Sequence, residues 1–201
     1  MDQIIEKPKK KRLNSKSKGS GFEGLVANKL SAALAPLKFI RTQGSGARVG
    51  GKNFETLGQM FGEDALKLFV GDVVPVNEKN AGVTFLHAIE CKSYKTPDNF
   101  PALVSGNSNL FKWMKEAEDD AVKVKRNPLL IFKWNNTPIF VAHSAQLRHP
   151  VRLSLQQDAK VIYINYLDDL LKYPKFWYDV LEQPVIPNID QRENYSLQDK
   201  K

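Results

Sequence analysis

A chain of 201 residues with 42% apolar and 26% charged side chains reads as one soluble globular domain, with or without tails. No apolar run reaches bilayer length and no apolar core of a secretory signal opens the sequence, so no membrane is expected and the cytosol is the expected compartment. The single cysteine, Cys91, excludes an internal disulfide, and His87, His143 and His149 share no metal-ligand spacing, which argues against zinc.

The net charge of +8 is unevenly placed, because residues 1–20 hold seven cations against two acids. Lys7, Lys9, Lys10, Lys11, Arg12, Lys16 and Lys18 stand in a segment too poor in apolar residues to fold, so 1–20 is expected to be a disordered basic tail. Such a polycation suits sequence-independent phosphate contact, with Lys9, Lys10, Lys11 and Arg12 as the candidate DNA-binding residues. The run from Lys7 to Arg12 also fits a nuclear localisation signal, which would move the protein to the nucleus, and a solvating tail with neither role is the third reading.

The domain is expected over 21–183. Gly19-Ser20-Gly21 punctuates its start, and Phe22, Leu25, Val26, Leu30, Ala33 and Leu34 then recur at helical spacing. Glu23 lies off that stripe, either at the edge of a site or as a first-turn acid favoured by the helix dipole. Pro36 marks the exit, and 37–41 reads as a strand. The segment 46–53 fits a phosphate loop up to Asn53, which replaces the required hydroxyl. Nucleotide hydrolysis is set aside, since a second acid is offered only by Asp72 and the acid-x-lysine pattern below would go unexplained. Arg41, Arg48 and Lys52 read as phosphate contacts in a glycine-rich loop, or as parts of a merely flexible one. One or two short helices are expected over 54–68.

Val70-Gly71-Asp72-Val73-Val74 is followed by the polar stretch 77–82, read as a hairpin turn, and by Ala88-Ile89-Glu90-Cys91-Lys92, read as a strand. The period of two puts Glu90 and Lys92 on one face and Ile89 and Cys91, the latter as a small hydrophobe, on the other. A hairpin would bring Asp72 beside Glu90. Two oxygen ligands with the remaining positions left to water and phosphate is how proteins hold Mg²⁺, and a lysine beside the ion can orient water or offset phosphate charge. Acid-x-lysine on a strand is equally the look of a solvated sheet face. The order of helix, acid-bearing strand, hairpin, acid-x-lysine strand and helix is what favours chemistry.

Residues 93–106 read as a substrate-facing loop. A second amphipathic helix is expected over 109–125 with Leu110, Trp113, Met114, Ala117, Ala121 and Val124 inward, and its charged outer face, Glu116 included, is given no chemistry. Residues 129–134 and 138–142 form a hairpin around 135–137, with Trp134 a packing residue. A strand at 161–164 and a helical region at 165–181 broken at Pro174 follow. Phe176, Trp177 and Tyr178 either cap the core or form a subunit interface, and 184–201 reads as a polar tail.

Over residues 21–134 the sequence resembles the PD-(D/E)xK nuclease superfamily, and within it the archaeal-type Holliday-junction resolvases. The resemblance rests on Gly21-Phe22-Glu23, Arg41-Thr42-Gln43-Gly44-Ser45-Gly46, Asp72, and Ala88-Ile89-Glu90-Cys91-Lys92-Ser93. Gly71 stands where the signature has proline, and 47–69 is longer than the loop those resolvases use. The resemblance implies a catalytic set of Asp72, Glu90, Lys92, Glu23 and Ser45, and Mg²⁺, with Mn²⁺ as the alternative, at Asp72, Glu90 and Cys91. It also implies an α/β fold with a restriction-endonuclease-like central mixed sheet, of five or so strands, flanked by helices. The expected function is Mg²⁺-dependent cleavage of branched DNA in recombination and repair, by a homodimer acting on four-way junctions. A restriction- or repair-type nuclease on duplex DNA and a non-catalytic basic DNA-binding protein are the alternatives.

Overall fold

The computed structural model describes residues 15–42, 59–60, 62, 67–145, 151–157 and 160–181. The elements are α1 (Ser15–Ala33), β1 (Phe39–Arg41), β2 (Val73–Pro75), α2 (Glu78–Ala81), β3 (Val83–Phe85), β4 (His87–Tyr94), α3 (Phe100–Val104), α4 (Asn109–Val124), β5 (Asn127–Trp134), β6 (Phe140–His143), β7 (Leu153–Gln157), β8 (Lys160–Tyr166), α5 (Leu167–Leu170), α6 (Pro174–Trp177) and β9 (Tyr178–Val180). The basic residues Lys9, Lys10, Lys11 and Arg12, together with Ser45, Arg48, Lys52, most of the expected helical stretch 54–68 and the expected tail 184–201, lie outside the described residues.

Leu129, Leu130, Ile131 and Phe132 of β5 are buried in succession, without alternation. A strand of that kind needs a layer on each face. It pairs parallel with β4 and antiparallel with β6, at the middle of a seven-stranded mixed sheet ordered β1-β2-β4-β5-β6-β8-β7. Seven strands exceed the expected five or so because the chain beyond residue 149 returns as β7 and β8 and extends the sheet. β3 and β9 form a separate two-stranded ribbon.

One face carries α1, whose Phe22, Val26, Ala27 and Leu30 pack with Ile89, Cys91, Leu129 and Ile131. On the other, Leu110, Phe111, Trp113 and Met114 of α4 pack with Leu130, Phe132, Ala142 and Ile164, and Ala121 and Val124 with Ala88. Each fully buried large side chain contributes roughly 1.5–3 kcal/mol. The inward stripe read from the sequence is fully buried in α4, with Phe111 added. The helix starts at Ser108, whose side chain accepts from the Leu110 N–H, while the Asp98 carboxylate accepts the Asn109 N–H at 2.6 Å. Lys125 in the left-handed region ends it.

Two local expectations are corrected and one open choice is resolved. α1 begins at Ser15 and runs through Gly19-Ser20-Gly21, so these residues do not break the chain; each glycine costs about 1 kcal/mol in a helix, which the packed turns beyond Phe22 outweigh. The stretch 77–82 is α2, not a hairpin turn. Asn77 instead ties the segment to the chain before β1, accepting the Lys38 N–H at 2.7 Å and donating to the Pro36 carbonyl at 2.9 Å. Trp177 is completely buried and Phe176 nearly so, with the Trp177 indole N–H donating to the Leu170 carbonyl at 3.0 Å. They cap the core. Phe132 is buried as well, and Phe140 is half-buried against Phe132, Trp134 and Tyr166. Trp134 packs there as expected.

His87 at the head of β4 is buried against Phe176 and Trp177, with its Nε2 2.6 Å from the Phe176 carbonyl and no partner for Nδ1 among the described residues. Burial first, and then the neighbouring His143 and Arg126, push it down to about 4, although the bond to Phe176 opposes them. A histidine depressed in the folded state stabilises the fold above its ordinary pKa, and that stability is lost as pH falls through 6.5 toward 4. The expected loss by pH 4 is about 3 kcal/mol. Urea midpoints at pH 7 and pH 4.5 should show it, and His87→Gln should shrink the difference.

Candidate active site

β2 and β4 pair antiparallel at Val73 and Ile89, and that register sets Asp72 at the seam between them. The Asp72 N–H donates to the Ile89 carbonyl at 2.7 Å, and its own carbonyl accepts from Thr42 after β1 at 3.0 Å. Two residues further along β4, the Cys91 N–H donates to Asp72 Oδ2 at 2.9 Å, so a carboxylate stands where the ladder would otherwise offer a carbonyl. Asp72 is thereby fixed by backbone. Asp72 and Glu90 thus meet as expected, through strand pairing across α2 and β3, not through a tight hairpin.

Gly71 makes the approach possible. It has φ +92°, and a Cβ there would lie 2.8 Å from the Ile89 carbonyl oxygen. A proline, fixed near φ −65°, cannot adopt this conformation. Gly71→Ala is therefore expected to cost about 2–3 kcal/mol through clash and backbone strain, and to displace the neighbouring Asp72. Denaturation midpoints and cleavage rates should fall together.

The alternation in β4 is as the sequence indicates. Ile89 and Cys91 enter the core on the α1 face, and burial pushes the Cys91 thiol well up. That thiol is closed off as a ligand, which leaves only the main chain of Cys91 for a metal. Glu90 and Lys92 take the α4 face. Lys92 Nζ lies 2.6 Å from Glu90 Oε1 and 2.7 Å from Glu116 Oε2. Burial alone would lower the lysine, but the bonds from Glu116 and Glu90 outweigh it, so the ammonium keeps its proton above the usual range. Glu90, only 13% exposed in its side chain, is pushed up to about 7 by burial and then by the charge of Asp72.

Glu23 arrives from α1 with Oε2 3.6 Å from Arg41. Burial and the Asp72 charge raise its pKa, against the pull of Arg41 and Lys92. Because α1 begins at Ser15, Glu23 is not a first-turn residue, and the helix-dipole explanation lapses. Glu23, Arg41, Asp72, Glu90 and Lys92 are brought together; Ser45, Arg48 and Lys52 lie outside the described residues. Glu116 was missed. Its place beside the buried stripe of α4, which packs Ala121 and Val124 on Ala88 of β4, is what brings this acid within reach of Lys92.

Four carboxylates, Glu23, Asp72, Glu90 and Glu116, face two cations, Arg41 and Lys92. A Glu90 carboxyl near neutrality beside Asp72 is the mark of charge that a cation would relieve. Among the described residues no three His, Cys, Asp or Glu side chains gather into a metal cage. The donor set fits instead a hard divalent ion held by two carboxylates and a main-chain carbonyl, with water and phosphate completing its shell. An open cleft of about 730 Å³ lined by Val76, Glu78, Arg126 and Leu181 includes none of these acids, so the acid cluster lies outside it.

A mixed sheet flanked by helices, with an acid at the seam of two strands and acid-x-lysine on the inner one of the two, defines a restriction-endonuclease-like nuclease of the PD-(D/E)xK class. The chain belongs to the family described as "Phage putative PDDEXK endonuclease", whose model matches residues 14–180. No curated protein matches the chain. Among solved structures it is similar to Archaeoglobus fulgidus Hjc, a Holliday junction resolvase from an archaeal hyperthermophile, at 17% identity and a TM-score of 0.35, over 76% of this chain and 86% of that one. Among the described residues no helix is long and apolar enough to cross a membrane.

Proposed function

We propose that the protein is a Mg²⁺-dependent DNA endonuclease that cuts branched DNA as a resolvase does. The observation that carries the metal is the Asp72 carboxylate locked on the Cys91 amide beside a Glu90 carboxyl raised to about 7. Asp72, Glu90 and the Cys91 carbonyl would hold Mg²⁺, with Mn²⁺ as a substitute; in an extended strand that carbonyl shares the direction of its own N–H, toward Asp72. The bound ion would supply Lewis acidity and an activated water.

Lys92, held charged between two acids, orients the nucleophile and offsets charge developing on the phosphate. Glu23 closes the α1 side of the site, and Arg41 beside it meets the DNA backbone. Ser45, Arg48 and Lys52 are assigned to the same side. Lys9, Lys10, Lys11 and Arg12 are assigned to a basic tail that grips phosphates without sequence preference. The nuclease domain then extends to about 183, with a polar tail after it.

The junction preference rests on the sequence resemblance to resolvases. One chain holds one Asp72, Glu90 and Lys92 set, while resolving a junction takes two related cuts, so a two-fold homodimer is proposed. Competition between a four-way junction and linear duplex of equal length, with sedimentation at micromolar protein, tests this. A dimer preferring the junction supports the proposal. A monomer that cuts both equally overturns the resolvase assignment in favour of a duplex nuclease, and binding without cutting favours the non-catalytic alternative.

A further inference from the structure

The Lys92 ammonium is shared between an acid of its own strand and an acid of a helix. Its Nζ lies 2.6 Å from Glu90 Oε1 and 2.7 Å from Glu116 Oε2, and the lysine side chain is 21% exposed. A four-carbon stem has many rotamers, and two anchors on one head group leave few of them. Glu90 has a second task in the proposed mechanism, since it also faces the metal. A carboxylate that turns toward a divalent ion weakens its hold on an ammonium, because the two cations repel and share one anion. Glu116 has no such rival duty.

Its place in the fold is well defined. Glu116 sits beside Ala117, within the buried stripe of α4, and Met114 and Ala117 in that stripe are each 1% exposed. The backbone that carries it is therefore rigid. The carboxylate itself remains 42% exposed at the rim of the site. That exposure leaves room for a phosphate to approach the lysine from the open side.

We propose that Glu116 is a positioning residue for Lys92: it holds the ammonium at the reacting phosphate once Glu90 engages the metal. The inference rests on the nuclease reading above. It makes α4 part of the active site, although that helix carries no residue of the acid-x-lysine signature.

The test is a set of four variants, Glu116→Ala, Glu116→Gln, Lys92→Ala and the Glu116→Ala/Lys92→Ala pair, followed by single-turnover cleavage of one labelled DNA at saturating protein and by DNA affinity without metal. Glu116→Ala should slow cleavage about 10- to 100-fold with DNA affinity unchanged, and Glu116→Gln, which still accepts a hydrogen bond, should recover part of the rate. Thermal midpoints should move little in either. Once Lys92 is gone, losing Glu116 as well should cost less than about a further 3-fold, because residues acting through one another are not additive.

Parental cleavage by Glu116→Ala, with Lys92→Ala inactive, overturns the inference and leaves the nuclease reading standing. Parental cleavage by Lys92→Ala overturns both. Equal losses in Glu116→Ala and Glu116→Gln with a large fall in thermal midpoint would mean a structural role, which also overturns it. Where Lys92→Ala cuts too slowly to measure, the single variants decide: a slower Glu116→Ala at an unchanged thermal midpoint, partly restored in Glu116→Gln, supports the inference, and equal rates in parent and Glu116→Ala overturn it.

Discussion

Asp72→Asn and Glu90→Gln are each expected to cut DNA at least about 10³-fold more slowly than the parent, with DNA affinity without metal retained. The magnitude is the several kcal/mol of transition-state charge stabilisation that a bound ion supplies. The fold should survive both changes. The amide that replaces the Asp72 carboxylate would still offer an oxygen to the Cys91 N–H, and the amide that replaces the Glu90 carboxylate would remove a buried charge that the native environment already disfavours. For Glu90 the sign follows from its raised pKa: the native state holds the extra proton between pH 4.5 and 7, so native stability falls as pH rises through that window. Glu90→Gln should therefore melt at or above the parental temperature at pH 8 without metal. Single-turnover rates and thermal midpoints on the same preparations separate lost chemistry from lost structure.

Trp177→Ala should bring the largest loss of stability, about 3–5 kcal/mol, since a wholly buried indole and its hydrogen bond to Leu170 are removed together. Phe85, His87 and Phe176 all pack against that ring, so the cavity would open beneath the head of β4. In a chain of this length the thermal midpoint should drop by roughly 10 °C or more. The drop should be the same at low and high protein concentration. A loss that disappears on dilution would return Trp177 to a subunit interface and contradict its place in the core.

The legible parts of the sequence were those with a clean period. The α4 stripe was readable because seven buried positions repeat over four turns, and the β5–β6 hairpin because two apolar runs flank a short polar turn. Glu90 and Lys92 followed from alternation in β4. Asp72 was readable as an acid ending an apolar run, but the route that brings it to Glu90 was not. Strand pairing across an intervening helix and a separate ribbon is a long-range fact that a polar loop conceals.

Other misses have equally physical causes. The start of α1 was hidden by Gly19 and Gly21, whose cost is met by packing elsewhere in the helix. β7 is an edge strand whose described positions are mostly exposed, so it carries almost no hydrophobic signal. Glu116 looked like solvated charge because its ion pair with Lys92 depends on how α4 packs against β4, which the charge pattern of the helix alone does not show.

The most direct measurement is nicking of supercoiled plasmid and of a labelled four-way junction by the parental protein, in Mg²⁺ and in EDTA. Cleavage in Mg²⁺ that stops in EDTA is the predicted result. Intact DNA in both, with binding retained, or cleavage that continues in EDTA, would contradict the metal-dependent nuclease assigned to Asp72, Glu90 and Lys92.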